Sequence, residues 1–562
     1  VSRVPRRLAM VAAPITAALM LLTACGGSGT NSNAPAPKAA LGQNDINPQD
    51  VANLKDGGEL KYPVQDYPVQ FNELQGDATS GDIPPITRSM MPTPSIEKAD
   101  GTFTANKDYV DSIELKSKDP QQVVYKLNHK AKWSDGTPIT WADYKSQWQA
   151  VSGKDKAFVV LSSSGYSAVS DITKGADDYE FTINFQPKYA EWFRLFQVLY
   201  PKSMTSNPDE FNKGWAEKPK VTGGPFKFGQ ADPTAKTVIV VRDDNWWGDR
   251  PKLDRIIFRN ISTTGGAASM DALASGELDF SGIAGNLDAY KKAQTIPGVV
   301  FRKATLPNMR WVLFNGSGDS VVKDPELRKA IIRGIDVASI TKAEVSQLIP
   351  DAKPLGNHII LDGFPGYQDN SAGYTYDAEA AKKKLDELGW KLDGQFRKKD
   401  GKQLTVRDVV PAGNKASDEE AKLVQNQLAA IGVEVKIDEV SNDGFFDKQV
   451  IPGNFDITHF ANMDVTNLDT TTVDYKLGDG GDQNYGKVGN DKINALIAQA
   501  SEELDDAKRM ELFNQIDKQV WDLGHSLPLY RRPSIVAIKD KLANFGNEGL
   551  AATDYTKIGW LK

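Results

Sequence analysis

Apolar positions along this chain switch between two kinds of spacing. A short run at 123–127, with Val124, Tyr125 and Leu127 apolar, predicts a strand, and similar runs predict strands at 179–185, 237–242, 255–260 and 299–304. Spacings of three and four, as in Ala421, Val424, Leu428 and Ile431, predict helices. These fall at 142–151, 267–274, 326–335, 378–388, 418–431, 491–504 and 507–523. Strands interleaved with helices in this way predict an α/β protein with mixed sheets. No internal repeat interrupts the series.

Length sets the next bound. At 562 residues the chain exceeds what one hydrophobic core supports, so two or three domains are expected. With 40% apolar residues, 25% charged residues and a mean hydropathy of -0.43, the composition is that of a soluble globular body. The formal charge of -7 is spread out and holds no basic stripe, so no nucleic-acid partner is expected.

The N-terminus narrows the picture further. Arg3, Arg6 and Arg7 precede an apolar stretch over 8–22, broken only by Pro14 and Thr16. A charged segment followed by an apolar one too short for a comfortable membrane span reads as a secretory signal. It runs into Leu22-Thr23-Ala24-Cys25-Gly26, which resembles a bacterial lipobox. There the small residues suit the peptidase, and the Cys25 thiol takes up the diacylglycerol. A signal cut elsewhere, with Cys25 incidental, is the alternative. Cys25 is the sole cysteine, which excludes a disulfide within the monomer and argues against thiol catalysis or a thiolate metal site. Residues 26–54 are rich in Gly, Ser, Asn, Ala and Pro without periodicity and read as a flexible tether. The fold is expected to begin near Gly57 and Gly58, where a turn leads into a strand.

Patterns that carry catalysis are missing. His129, His358, His459 and His525 lie far apart, with no i,i+4 pair to suggest a metal site. Gly478-Asp479-Gly480-Gly481-Asp482 lacks the full calcium-loop pattern and reads as a turn. No nucleophile elbow, phosphate loop or dinucleotide fingerprint occurs, and no sequence argument pairs any two carboxylates. No catalytic arrangement is read from the sequence, and no cofactor is implied; the resemblance set out next implies a protein that binds and hands over, not one that converts.

A series of short motifs supports that reading. Trp133-Ser134-Asp135-Gly136-Thr137-Pro138 is expected to form a rigid turn. Gly136 supplies a permissive backbone, Asp135 bonds neighbouring amides, and Trp133 anchors the turn by burial. A ligand-stacking role for Trp133 is the alternative. In order along the chain follow Thr222-Gly223-Gly224-Pro225-Phe226, then Asn245-Trp246-Trp247-Gly248 with Pro251-Lys252-Leu253-Asp254, then Gly276-Glu277-Leu278-Asp279. Phe314-Asn315 with 324–336, and 381–390 with Asp400-Gly401-Lys402, come next. Ile431-Gly432-Val433 and Leu527-Pro528-Leu529-Tyr530 close the series. Together they resemble the motifs of the extracellular solute-binding proteins of the dipeptide, oligopeptide and nickel class, solute-binding family 5. The resemblance covers about 57–531, nearly the whole mature chain.

The resemblance implies an α/β fold of the bilobal periplasmic-binding-protein type, type II-like (cluster C), with mixed sheets and an extra subdomain in lobe one. Carried onto this chain, it implies a signal peptide at 1–24, a tether at 25–55 and lobe one at 56–90 and 206–304. The subdomain then occupies 91–205, lobe two 305–526, and 527–562 returns to lobe one. The stretch 302–315 is expected to cross between the lobes and line the cleft, with the return crossing near 527–531. Two crossings make a hinge. Arg310 or Trp311 is expected to face the cleft, with Trp311 in the lobe-two core as the alternative. Phe71, Asn72, Asn315, Phe460, Asn462, Met463 and Asp464 complete the candidate ligand set.

Peptide-binding members fix the ligand's α-amino group with an acidic residue that follows a Phe/Tyr-Asp strand end and a Trp. Here Phe455-Asp456 matches, Asn462 stands at the Trp position, and the acidic residue falls one place early, at Asp464. Asp464 is therefore either an amine ligand or a loop carboxylate in water. His459 lies in the same stretch, and a nickel-chelate role for it is the remote option. The implied function is that of a lipid-anchored receptor on the outer face of the bacterial cytoplasmic membrane. It would be a monomer delivering an oligopeptide or another small solute to ABC permease subunits with cytoplasmic ATPases. A saccharide or glycoconjugate receptor, and a lipoprotein regulating envelope glycolipid assembly, are the alternatives.

Overall fold

Strand β1 (Glu59–Val64) opens the fold with Leu60 and Val64 turned into the core. The computed structural model describes residues 44–261, 266–283, 285–462, 471–478, 481 and 483–562, without the side chains at 305–307 and 443. Cys25, Met463 and Asp464 lie outside these residues, as does everything before 44. After β1 the chain builds an antiparallel sheet from β2 (Val110–Lys118), β3 (Gln121–Leu127), β4 (Val169–Lys174) and β5 (Glu180–Phe185), in the order β2-β3-β5-β4. Helix α1 (Trp141–Val151) lies between β3 and β4; Asp143 starts it by accepting from Thr140 N at 2.9 Å. Strands β6 (Phe226–Asp232), β7 (Thr237–Arg242) and β8 (Arg255–Asn260) then return to β1. Their order is β1-β8-β7-β6, parallel between β1 and β8 and antiparallel elsewhere.

Two of the sequence motifs dock onto one another here. Asp135 Oδ1 accepts from Thr137 N at 2.9 Å, Gly136 adopts φ 87°, and Trp133 is buried, which makes the expected rigid turn. Ser134 N donates to Thr222 O at 2.7 Å, and Thr222 N donates back to Ser134 Oγ at 3.0 Å. A Cβ on Gly223 would stand 3.1 Å from the Trp133 ring, and one on Gly224 only 2.6 Å from the Met90 carbonyl carbon. The paired glycines are what let the two turns meet.

The second large sheet spans both lobes. It contains β9 (Phe280–Gly282), β10 (Val299–Phe314), β11 (Thr405–Pro411), β12 (Glu434–Val440), β13 (Ile457–Asn462) and β14 (Ser526–Lys539). The order is β9-β14-β10-β13-β11-β12, with β11 parallel to β12 and β13 and the remaining pairs antiparallel. Strands β10 and β14 are long because each serves two lobes. Val299–Thr305 pairs with Lys539–Pro533 on the lobe-one side, and Met309 onward pairs with Arg531 and earlier residues on the lobe-two side. Between these ladders the register shifts, so that 306–308 face only residue 532. Pro307 sits in this gap and Pro533, the partner of Thr305, at its edge, and neither has an amide proton to offer the ladder. The register shift thus falls at adjacent positions of the two long strands, 306–308 on β10 and 532 on β14.

Helices α2 (Ala267–Ser275) and α3 (Leu287–Gln294) pack on the lobe-one end of this sheet. In lobe two, α4 (Pro325–Arg333), α5 (Val337–Val345), α6 (Ala378–Glu387) and α7 (Lys415–Ala429) cover one face. The other face carries α8 (Asp491–Glu502) and α9 (Asp506–Leu523). Strand periodicity divides β10 between them: Val312 and Phe314 join the first core, Met309 and Trp311 the second. All predicted helices and strands are present with ends within three residues, except that β10 runs ten residues further than read.

The tether reading needs one correction. From Asp45 onward the chain is packed: Asp45 bridges Asn547, Leu54 bridges Leu561, and Leu54 is buried. The contacts are largely backbone pairings with the C-terminal segment, so a composition poor in apolar residues hid them.

A candidate ligand cavity between the lobes

Where the two lobes meet along β10 and β14 lies a cavity of 1480 Å³. Sites for single drug-sized molecules run to about 1,000 Å³, so this one accepts something larger. Two helix starts frame it. On the lobe-one side Asn286 caps α3, accepting from Asp288 N at 3.0 Å and Ala289 N at 3.1 Å. On the lobe-two side the turn from Pro411 to Asn414 leads from β11 into α7, and Asn414 accepts from Ser417 N at 3.2 Å. Glu344 and Leu348 at the end of α5 close one wall, and Arg310, Phe460, Ala461, Tyr530 and Arg532 form the floor. Two amino-terminal helix ends with Lys415 and Lys422 beside one of them favour a negative group, while Glu344, Glu419 and Asp288 offer the opposite sign. The lining therefore suits a ligand carrying both charges.

A buried ionic network lies beneath the floor. Arg310 Nε and Nη2 donate to the two carboxylate oxygens of Glu420 at 2.9 and 2.6 Å, and Nη2 also donates to Ser417 Oγ at 2.9 Å. Tyr530 OH donates to Glu420 Oε1 at 2.6 Å. His459 Nε2 is 3.0 Å from Asp408 Oδ2, and its Nδ1 is 3.5 Å from Glu420 Oε2. Burial alone would raise the Glu420 carboxyl, but Arg310 and His459 hold it down at about 2. Burial likewise favours neutral imidazole at His459, yet Asp408 and Glu420 push its pKa up to about 9. At neutral pH the network is two cations matched by two carboxylates, each ring nitrogen of His459 facing one of them. That arrangement leaves the ring no open position for a metal. Among the described residues no group of three or more His, Cys, Asp or Glu could hold one. Nearer the cavity, burial and the neighbouring Glu419 and Glu420 raise the Glu344 carboxyl to about 7.

The remaining wall carries Phe446 and Phe460, with Tyr485 packed against both. Phe446, Phe460 and Tyr485 meet edge to face, with centroids 5.4 to 6.4 Å apart, and Phe446 stays 42% exposed. Below them Asn462 Nδ2 donates to Asp474 Oδ2 at 2.8 Å, and burial raises Asp474 to about 7.

The expected site residues separate into groups. Arg310 and Phe460 line the cavity, and Asn462 ends the strand beside it. Trp311 points to the sheet face opposite Arg310, packed on its cross-strand neighbour Phe460 and on Tyr475 and His525 in the lobe-two core. Asn315 is occupied by the Gly453 and Phe455 carbonyls at 2.9 and 2.8 Å. Phe71 and Asn72 are buried in lobe one, where Asn72 Nδ2 donates to Phe211 O at 2.9 Å. Sequence reading missed Phe446, Glu344, Glu419, Arg532 and the start of α7. The turn-and-cap sequence Pro411-Ala412-Gly413-Asn414 was the available signal for the last of these.

Residues 106–484 match the family described as bacterial extracellular solute-binding proteins, family 5 Middle. The chain belongs to that family. It is 40% identical to the oligopeptide-binding protein OppA of Mycobacterium tuberculosis (strain ATCC 25618 / H37Rv) over 551 residues, which cover 97% of this chain and 92% of that one. Its fold is that of the periplasmic EDTA-binding protein EppA (TM-score 0.83, 24% identity, 94% of this chain and 100% of EppA). It also matches the Bacillus subtilis oligopeptide-binding protein AppA, solved with a nonapeptide (TM-score 0.69, 21% identity, 91% and 100%). The family member described here is a solute-binding protein and not an enzyme, with the expected α/β fold and mixed sheets.

Proposed function

We propose that this chain is the extracytoplasmic receptor of an ABC importer for oligopeptides, capturing its cargo in the interlobe cavity by closure about β10 and β14. The near full-length similarity to an oligopeptide-binding protein carries the reading. A cavity of 1480 Å³ lined by both signs of charge and by aromatic rings fits a chain of several residues with free ends. In this reading Arg310, Phe446, Phe460 and the start of α7 contact ligand, and Asp464 holds its amino group. Permease subunits with cytoplasmic ATPases receive the cargo. We also read 1–24 as signal peptide and Cys25 as lipidated. Lobe one spans 56–90 and 206–304 with a subdomain at 91–205; lobe two spans 305–526, and 527–562 returns to lobe one.

Native mass spectrometry of the purified protein, with identification of co-purifying molecules, tests the cargo class. Peptides are expected; bound glycans or glycolipids would overturn the assignment. N-acetylated pentapeptides should bind at least tenfold more weakly than the same peptides with free amino ends. Equal affinities would remove Asp464 from the amine-binding role.

A further inference from the structure

Glu344 occupies a position that disfavours a carboxylate. It is the last residue but one of α5, where the carbonyl end of the helix carries partial negative charge. Glu419, on the second turn of α7, is close enough for the two side chains to hydrogen-bond, and Glu420 is a second negative neighbour. Burial acts in the same direction, and together these hold the Glu344 carboxyl at about 7. The nearby cations are engaged elsewhere. Arg310 is matched by Glu420 at 2.6 Å and Lys422 by Asp418 at 2.7 Å, while Arg532 interacts with Glu420 and Tyr530. Lys415 lies 3.6 Å from Glu419, with 76% of its side chain exposed. Among the described residues Glu344 forms no ion pair of its own. Both glutamates line the 1480 Å³ cavity. Phe446, in the same lining, keeps 42% of its surface open, and aromatic rings receive cations as carboxylates do.

We propose that Glu344 and Glu419 receive the positive side chain of a lysine or arginine in the cargo, which makes the cavity selective for basic oligopeptides. The inference rests on the oligopeptide-receptor reading above. In the protein alone, burial, the helix end and two like charges each disfavour an ionised Glu344. A bound ammonium or guanidinium supplies the opposite charge and reverses that balance, with charge-assisted hydrogen bonds to both carboxylates. A wall that served stability alone would gain nothing by pressing two carboxylates together beside the carbonyl end of a helix. Titratable groups so perturbed, in a cleft, mark functional positions. The cargo's α-amino group is a second source of the same charge, and the test separates it from the side chain.

The test is calorimetric titration of wild type and Glu344→Gln with alanine pentapeptides that carry one lysine, at each position in turn. The same peptides with norleucine in place of lysine are the comparison. At one position or more, wild type is expected to bind the lysine peptide more tightly than its norleucine match, by about tenfold or more. In Glu344→Gln that advantage should fall to within about twofold, while the norleucine peptides bind as before and urea unfolding shows no loss of stability. Lysine and norleucine bound alike at every position in wild type would overturn the inference, as would a lysine preference that survives Glu344→Gln. Each norleucine peptide is also titrated after N-acetylation. An acetylation penalty that vanishes in Glu344→Gln would give the pair to the α-amino group and overturn the side-chain assignment. Binding of neither peptide set removes the receptor reading itself, and the inference falls with it.

Discussion

Arg310 illustrates how a residue can line a cavity and still be governed from below. Its guanidinium is matched by Glu420, which is in turn shared with Tyr530 and His459, and His459 is matched by Asp408. Removing one member leaves a charge buried without its partner, so Glu420→Gln should cost about 3–5 kcal/mol in urea unfolding. The network also gives stability a direction with pH. The His459 contribution is complete below the ordinary imidazole pKa and is lost as pH rises through about 9. The Glu420 contribution is present above the ordinary carboxyl pKa and is lost as pH falls through about 2. Urea unfolding free energies should therefore drop by about 2–3 kcal/mol between pH 6 and pH 9.5. In His459→Gln that slope should be absent; a slope that persists would place its origin elsewhere.

At the scale of elements, periodicity was a good guide wherever one face met one core. The helices at 378–387 and 506–523 show this, and both were read to within a residue. It failed where a segment serves two environments. The apolar pattern of β10 stops at Ala304 because past Thr305 the strand changes partners and cores, with Pro307 between. The apolar repeat of α7 begins at 418, three residues after the helix itself, because the first turn faces a cavity. The cavity itself was legible only in part. Arg310 and Phe460 were found through their strands, whereas Glu344 and Phe446 come from distant segments that only the tertiary fold brings together. The motif glycines make a sharper prediction. Gly224→Ala would drive a methyl group into the Met90 backbone, where no side chain can rotate away. Overpacking of this kind costs about 1–3 kcal/mol, measurable by chemical denaturation, with the same helix and strand content by circular dichroism.

For the whole molecule, anchoring and binding are expected to be separable. Cys25→Ala should release the protein from the membrane fraction while leaving peptide affinity unchanged within about twofold, a difference of roughly 0.4 kcal/mol. Continued lipid labelling of the variant would remove Cys25 as the attachment point, and a large affinity loss would couple the two functions. The reason to expect independence lies at the start of the described chain. Asp45 and Leu54 are stitched to Asn547 and Leu561, both beside the lobe-one sheet. Tension on the N-terminal segment therefore reaches Leu561 and the lobe-one ends of β10 and β14, where Asp45 accepts from Lys303 N at 3.1 Å and Asn547 Nδ2 donates to Ser534 O at 2.8 Å. Under the proposed anchoring at Cys25, lobe one is the fixed jaw and lobe two the moving one, so a pull from the membrane side enters at one side of the cleft and not across it.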